Sequence, residues 1–138
     1  MFDIPWNDEL TYGDVRHREE VEHSAYSFDE ADVGFFSDLF DRWENEATRL
    51  LGDREPAEDG AARPPIVLPA YEAVLKCSHL FNVLDARGAC SVTERAAYIR
   101  RIRRQACRCA EAWLEQRRVA GYPLLDRSAP DRRGEGGS

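Results

Sequence analysis

Twenty consecutive residues, "DARGACSVTERAAYIRRIRR" from Asp85 to Arg104, hold six arginines. A guanidinium presents a planar fork of donors that fits phosphate or carboxylate, so the clustering points to anion recognition. On a helix running through this stretch, Arg100, Arg103 and Arg104 gather loosely on one side while Ile99 and Ile102 lie on another. Three readings fit that face. It is a solvated surface compensated by Glu94, Glu111 and Glu115 of the same helix, a contact with a protein partner, or a contact with RNA phosphates. Tyr98 is the one aromatic among the arginines, which leaves little for unpaired bases to stack on.

The remaining chemistry-bearing residues form no familiar constellation. Cys77, Cys90, Cys107 and Cys109 contain no C-x-x-C pair, and Cys107 and Cys109 lie about 200° apart around a helix, too divergent to chelate one metal. Buried or incidental thiols are expected. His17 and His23 are six residues apart and His79 is distant, so no H-x-x-x-H pair exists. Glu19, Glu20 and Glu22 are dense, but nothing around them suggests the burial that would raise a carboxyl pKa for acid/base work. They read as a charged helix face. Neither a Gly-rich phosphate loop nor a G-x-S-x-G elbow is present. Taken by themselves, the residues mark no active site.

The chain that must position them has 138 residues, enough for one domain with one core. With 43% hydrophobic and 33% charged residues it has the composition of a soluble globular protein. The net charge of -7 argues against broad attraction to nucleic acid, so any RNA contact must be local. No apolar stretch approaches the roughly 20 residues that cross a bilayer, and "MFDIPWNDEL" lacks the basic and apolar regions of a secretion signal. No membrane association and a cytoplasmic location are expected.

Helix signals dominate. Ser27 with Glu30 fits a capping box, followed by apolar Val33, Phe36, Leu39, Phe40, Trp43, Ala47 and Leu50, with Gly52 as the stop. "GDREPAEDGAARPPIVLP" then reads as a loop. Pro69 suits the first turn of a second helix with Tyr71, Val74, Leu75, Ser78, Phe81 and Leu84 near one face, broken at Gly88. Ser91 with Glu94 opens the longest helix, whose inner stripe is Val92, Ala96, Ile99, Ile102, Ala106, Cys109 or Ala110, and Trp113, ending at Gly121 and Pro123. "YGDVRHREEVEHSAY" adds an earlier helix with sparse apolar positions, Val15, Val21 and Ala25. The expected fold is all-α, a small antiparallel bundle of three to four helices over residues 1–125, with a disordered tail over 126–138. Phe35-Phe36 and Leu39-Phe40 cover more of the helix than one core stripe needs, so one side should meet a second surface. Trp6, Phe35, Phe40 and Tyr122 are the residues expected at such a domain or subunit interface.

Several longer blocks carry a resemblance. Trp6-Asn7-Asp8, Thr11-Tyr12-Gly13-Asp14-Val15, Glu20-Val21-Glu22, Leu84-Asp85-Ala86-Arg87 and Ser91-Val92-Thr93-Glu94-Arg95 occur in order, and the chain from about Phe2 to Pro123 resembles the C-terminal helical part of the alpha subunit of bacterial glycine-tRNA ligase. The resemblance implies a class II aminoacyl-tRNA synthetase, in which a sheet domain with three signature motifs binds ATP and glycine and a helical domain follows. The implied reaction is ATP-dependent activation of glycine to an adenylate, then transfer to the 3′ end of its tRNA. The matched part follows the last of those motifs. The resemblance therefore assigns no catalytic residue, no metal ligand and no cofactor to this chain, ATP with magnesium belonging to the whole enzyme, and the chain is expected to be inactive alone. Implied partners are the beta subunit, glycine tRNA, glycine and ATP, and they make Arg100, Arg103 and Arg104 as apt for a partner or tRNA backbone as for solvent. The alternative is a free-standing, non-catalytic helical module that binds a protein partner or tRNA. A longer loop from Gly52 to Leu68, Gly88 with Cys90, and a Gly-rich tail depart from the family pattern and suggest a divergent member.

Overall fold

A computed structural model describes residues 2–52 and 55–122. Helices α1 (Tyr12–Ala25), α2 (Val33–Leu51), α3 (Val67–Ala86) and α4 (Val92–Val119) follow one another, with a single π-helical turn, Tyr26–Glu30, between α1 and α2. Pro5 and Thr11 form an isolated antiparallel bridge, and no strand is formed among the described residues. The fold class is all-α, as the periodicities indicate.

Helix α3 is apolar around most of its circumference, so it takes the central place and packs against both α2 and α4. Its buried residues are Val67, Ala70, Ala73, Val74, Cys77, Leu80, Phe81, Val83 and Leu84. Of the face expected from sequence, Val74, Phe81 and Leu84 are inside, whereas Tyr71 and Leu75 are exposed. A helix covered on two sides buries a wider, rotated arc than a single stripe describes. Ala47 of α2 meets Ala70 and Ala73 of α3 in one buried cluster, and such small side chains let two helix axes approach closely.

The connections fix the directions. Ile66 N–H donates to the Leu50 carbonyl at 3.0 Å, so the ends of the long loop are adjacent and α3 runs antiparallel to α2. At the far end of α3, Gly88 N–H bonds Asp85 and Ala89 N–H bonds Leu84, a Schellman reversal that places residue 88 in the left-handed region at φ 66°. Ser91 then caps α4 by accepting from Glu94 N–H. Helix α4 therefore lies antiparallel to α3 and parallel to α2, with rungs from Ser37 to Tyr98, Asp41 and Glu44 to Arg101, and Thr48 to Gln105.

Three expectations need correction. The Ser27–Glu30 capping box does not form, because both residues lie in the π-helical turn and α2 starts later, with Asp32 accepting from Phe35 N–H at 2.7 Å. Arg87 donates to the carbonyls of Phe28 and Ala31, both at 3.0 Å, and Ala31 is extended, so the chain leaves the helical path just ahead of Asp32. On α4, Ile99, Ile102, Ala106 and Cys109 pack inward, but Val92 is 88% exposed and Ala96 is also outside. At 28 residues α4 is longer than either partner helix, and its first turn is left exposed. Finally, Phe40 is not an interface residue. It is fully buried at 0% exposure, with its ring edge-on to Tyr98 at 4.7 Å.

Helix α1 lies outside the three-helix bundle and buries no residue. The N-terminal segment is laid along its first turn, with Tyr12 N–H to the Ile4 carbonyl and Gly13 N–H to the Phe2 carbonyl. A Cβ at residue 13 would stand 3.0 Å from Phe2 backbone oxygen, which explains glycine there. Thr11 and Asp14 cap one another reciprocally. Residues 126–138, expected as a tail, lie outside the described residues.

The position of Phe40 makes a sharp test. Phe40→Ala should cost about 3 to 5 kcal/mol in urea unfolding, whereas Phe35→Ala, at an exposed position, should stay within about 0.5 kcal/mol.

Candidate functional site

The arginines of α4 divide into two groups by where the helix carries them. Arg101 points at α2. Its Nη2 bonds Asp41 Oδ1 at 2.6 Å and also reaches Glu44, while its Nε meets the same Glu44 carboxylate at 3.0 Å. The guanidinium lies 4.6 Å from the Phe40 ring centroid and 5.5 Å from that of Tyr98. Hydrogen bonds to Glu44, then to Asp41, hold its pKa well above the ordinary arginine value against the opposing effect of burial. Arg101 therefore joins α2 to α4 and is not free for another anion. Sequence reasoning misses it. The available signal is the Asp41/Glu44 pair, whose three-residue spacing matches the next turn of α2 beside Phe40.

Arg100 and Arg103 are exposed, and among the described residues neither has a carboxylate within 4.0 Å. Arg104 is exposed and only distantly paired, 3.8 Å from Glu44. The compensation expected along α4 does not form there, since Glu115 pairs with Arg118 at 2.6 Å. Arg108 continues the line and donates to Gln105 Oε1 at 3.2 Å. Steps of four residues from Arg100 to Arg104 to Arg108 set cationic groups about 6 Å apart along the axis. From Arg95 to Ala110 no acidic residue interrupts them. An acidic chain thus carries one local cationic strip on the outer side of α4.

The expected interface aromatics sit on three separate elements. Trp6 is 53% exposed in the N-terminal segment, tilted against Tyr12 at 6.4 Å. Phe35 is 56% exposed at the start of α2, edge-on to Phe36 at 5.8 Å. Tyr122 is exposed just beyond α4. Phe2, Ile4, Leu10, Tyr26, Phe28 and Val33 are exposed too, so the N-terminal part of the chain carries about half of the large exposed apolar side chains among the described residues.

The carboxylates of α1 are each engaged. Glu19 pairs with Arg16 and Glu22 with Arg18, while Glu20 accepts from the Tyr12 hydroxyl at 3.1 Å and raises that phenol's pKa. Exposed pairs of this kind contribute little to stability, and they leave no paired acid and base. Among the described residues no three His, Cys, Asp or Glu side chains converge as a metal site. The four cysteines are free. Cys107 is exposed. Cys77 is buried with its thiol 3.7 Å from the Phe40 carbonyl, and burial pushes its pKa up to about 11.

That thiol makes stability pH-dependent. Above pH 9 the unfolded chain releases the Cys77 proton that the folded chain retains until about 11, so stability falls as pH rises through this window. Cys90 and Cys109, raised chiefly by burial, add in the same direction. The urea midpoint should drop between about pH 8.5 and pH 10.5, and it should drop less in Cys77→Ala, whose remaining dependence comes from the other groups.

Against the models of known protein families, residues 1–118 match the one described as glycyl-tRNA synthetase alpha subunit, from the N-terminal segment through all but the last residue of α4.

Proposed function

The chain belongs to the glycyl-tRNA synthetase alpha subunit family, and from that premise we propose that it serves the ATP-dependent attachment of glycine to tRNA as a helical, non-catalytic portion of the enzyme. The family is that of one subunit of a multi-subunit aminoacyl-tRNA ligase. Its partner in this reading is the beta subunit, with glycine tRNA, glycine and ATP as substrates of the whole assembly, acting in the cytoplasm. Among the described residues no helix is long and apolar enough to cross a membrane.

The division of labour follows from the side chains at hand. Forming the adenylate requires cations around the phosphates and a group that aligns the glycine carboxylate with the α-phosphorus. In this chain Arg101 is committed to Asp41 and Glu44, and Arg87 to two backbone carbonyls. Neither suits that task, and no residue is assigned here to ATP or to its magnesium. The bundle instead offers Arg100, Arg103 and Arg104 for an anionic surface, either the tRNA backbone or the beta subunit. Trp6, Phe35 and Tyr122 are apolar contacts for a neighbouring domain or subunit. The observation that carries the arginine assignment is that α4 holds Arg100 and Arg103 exposed with no carboxylate of the described chain nearby.

The test is the triple variant Arg100→Glu, Arg103→Glu and Arg104→Glu in the assembled enzyme. Its melting curve should stay near that of the parent, because none of the three is buried, while binding to glycine tRNA or to the beta subunit weakens. If the ligand is tRNA, the slope of log K against log salt should fall in magnitude by about 0.7 to 0.9 for each phosphate that is no longer neutralised. Unchanged affinity for both would remove the assignment.

A further inference from the structure

The three bundle helices hold one another, but the chain ahead of them does not share in their packing. Among the described residues, α1 touches no other helical element than the π-helical turn that follows it. That turn continues α1 without a break, because Tyr26 stays in the right-handed helical region and its N–H bonds the carbonyls of Glu22 and His23. The segment ahead of α1 is bonded back onto its first turn through the Phe2 and Ile4 carbonyls. Residues 2–30 therefore make one arm, joined to α2 through Ala31 and Asp32, whose backbones are extended at φ -58°, ψ 128° and φ -71°, ψ 111°. A short non-helical joint between two rigid bodies is where a change of direction is most readily absorbed.

Arg87, at the end of α3, spans that joint. Its Nε donates to the Ala31 carbonyl and its Nη1 to the Phe28 carbonyl, both at 3.0 Å. The two acceptors belong to different bodies. Ala31 is 2% exposed and packs in the bundle core with Phe36, Phe40 and Leu84, whereas Phe28 is part of the arm and 59% exposed. Carbonyls at the end of a helix carry the negative end of its dipole and have few N–H groups left to bond, so a cation is favoured there. A guanidinium holds its donors in one rigid plane, and bonding two acceptors at once fixes their relative orientation. The Tyr26 ring, tilted against Phe36 at 6.1 Å, adds an apolar contact, which is far less directional than a pair of hydrogen bonds.

We propose that Arg87 is a latch across a hinge at Ala31 and Asp32, and that it sets the direction in which the N-terminal arm presents its exposed Phe2, Ile4, Trp6 and Leu10. With the latch removed, the arm swings while the three-helix bundle, which owes nothing to α1, keeps its packing. Arg87 is thus a positioning residue. The inference is independent of the role proposed for the basic strip.

The deciding experiment measures amide residual dipolar couplings in the isotope-labelled, weakly aligned 138-residue chain. In the parent, the couplings of α1 and those of α2, α3 and α4 should fit one common alignment tensor. In Arg87→Met the bundle couplings should be kept, while those of α1 leave that tensor and shrink as motion of the arm averages them. An arginine that only added stability would lower the Tm and leave the direction of α1 unchanged. Arg87→Lys, which replaces the fork by a single nitrogen, should show a smaller loss, and it is the variant to read if the methionine chain does not fold. Two tensors in the parent, or α1 couplings that keep their parental values in a folded variant, overturn the proposal. So does failure of both variants to fold, which would make Arg87 a requirement of the bundle itself.

Discussion

A helix that is apolar nearly all round cannot be left in water, and the architecture follows from covering α3. Its flanks require one neighbour each, so α2 and α4 must lie on either side of it, and the two reversals, one closed by Leu50 and Ile66 and the other by Gly88, deliver them there. With α2 and α4 both antiparallel to α3, they are necessarily parallel to each other. That parallel seam is thinner than the other two, and it is where polar chemistry enters the core. Tyr98 bonds Ser37, Arg101 grips Asp41 and Glu44, and Gln105, itself buried, donates to Thr48.

This seam explains why neighbouring arginines do different work. Residues 100 and 101 differ by one step of about 100° around the helix. One step places Arg101 over Phe40, where its charge is met by two carboxylates and its flat face by an aromatic ring. Arg100, Arg103 and Arg104 fall outside that arc. A guanidinium on the seam is worth most where it is partly desolvated, since pairing and stacking both strengthen as water is excluded. The same burial removes it from service elsewhere. In the reading proposed above, contact at the surface falls to arginines that contribute little to folding.

Much of this is legible in the sequence, and what is not shares a cause. Periodicity marks α2, α3, α4 and the sparse α1, and Gly88, Gly121 and Ser91 stand at real helix ends, because these features depend on residues close in the chain. The failures depend on residues far apart. Ser27 and Glu30 have the right spacing for a cap, but Arg87, nearly sixty positions on, takes the carbonyls around that turn and Asp32 caps instead. Phe40 is surplus to a single stripe because its partners Tyr98 and Arg101 belong to another helix. Tyr71 and Leu75 fall on the inner face only if α3 has one neighbour, and it has two. The exposed strip Arg100, Arg103 and Arg104 can be placed on a face from spacing, but the one carboxylate that approaches it, Glu44 at 3.8 Å from Arg104, belongs to α2.

Helix α1 shows how far local interactions can go without a core. Fourteen residues are marginal for an isolated helix, and none of these is buried. A reciprocal cap at Thr11 and Asp14, two ion pairs and the segment hydrogen-bonded across its first turn hold it, with the Phe2 ring edge-on to His17 at 4.8 Å. Each is weak, because all are open to solvent. Such a helix would need no large apolar side chains for its own sake. Yet Phe2, Ile4, Trp6, Leu10 and Val21 stand exposed on it and on the segment beside it. Burying even part of that set would outweigh every local contact that now holds α1. The N-terminal part of the chain thus presents apolar side chains that the three-helix bundle does not cover.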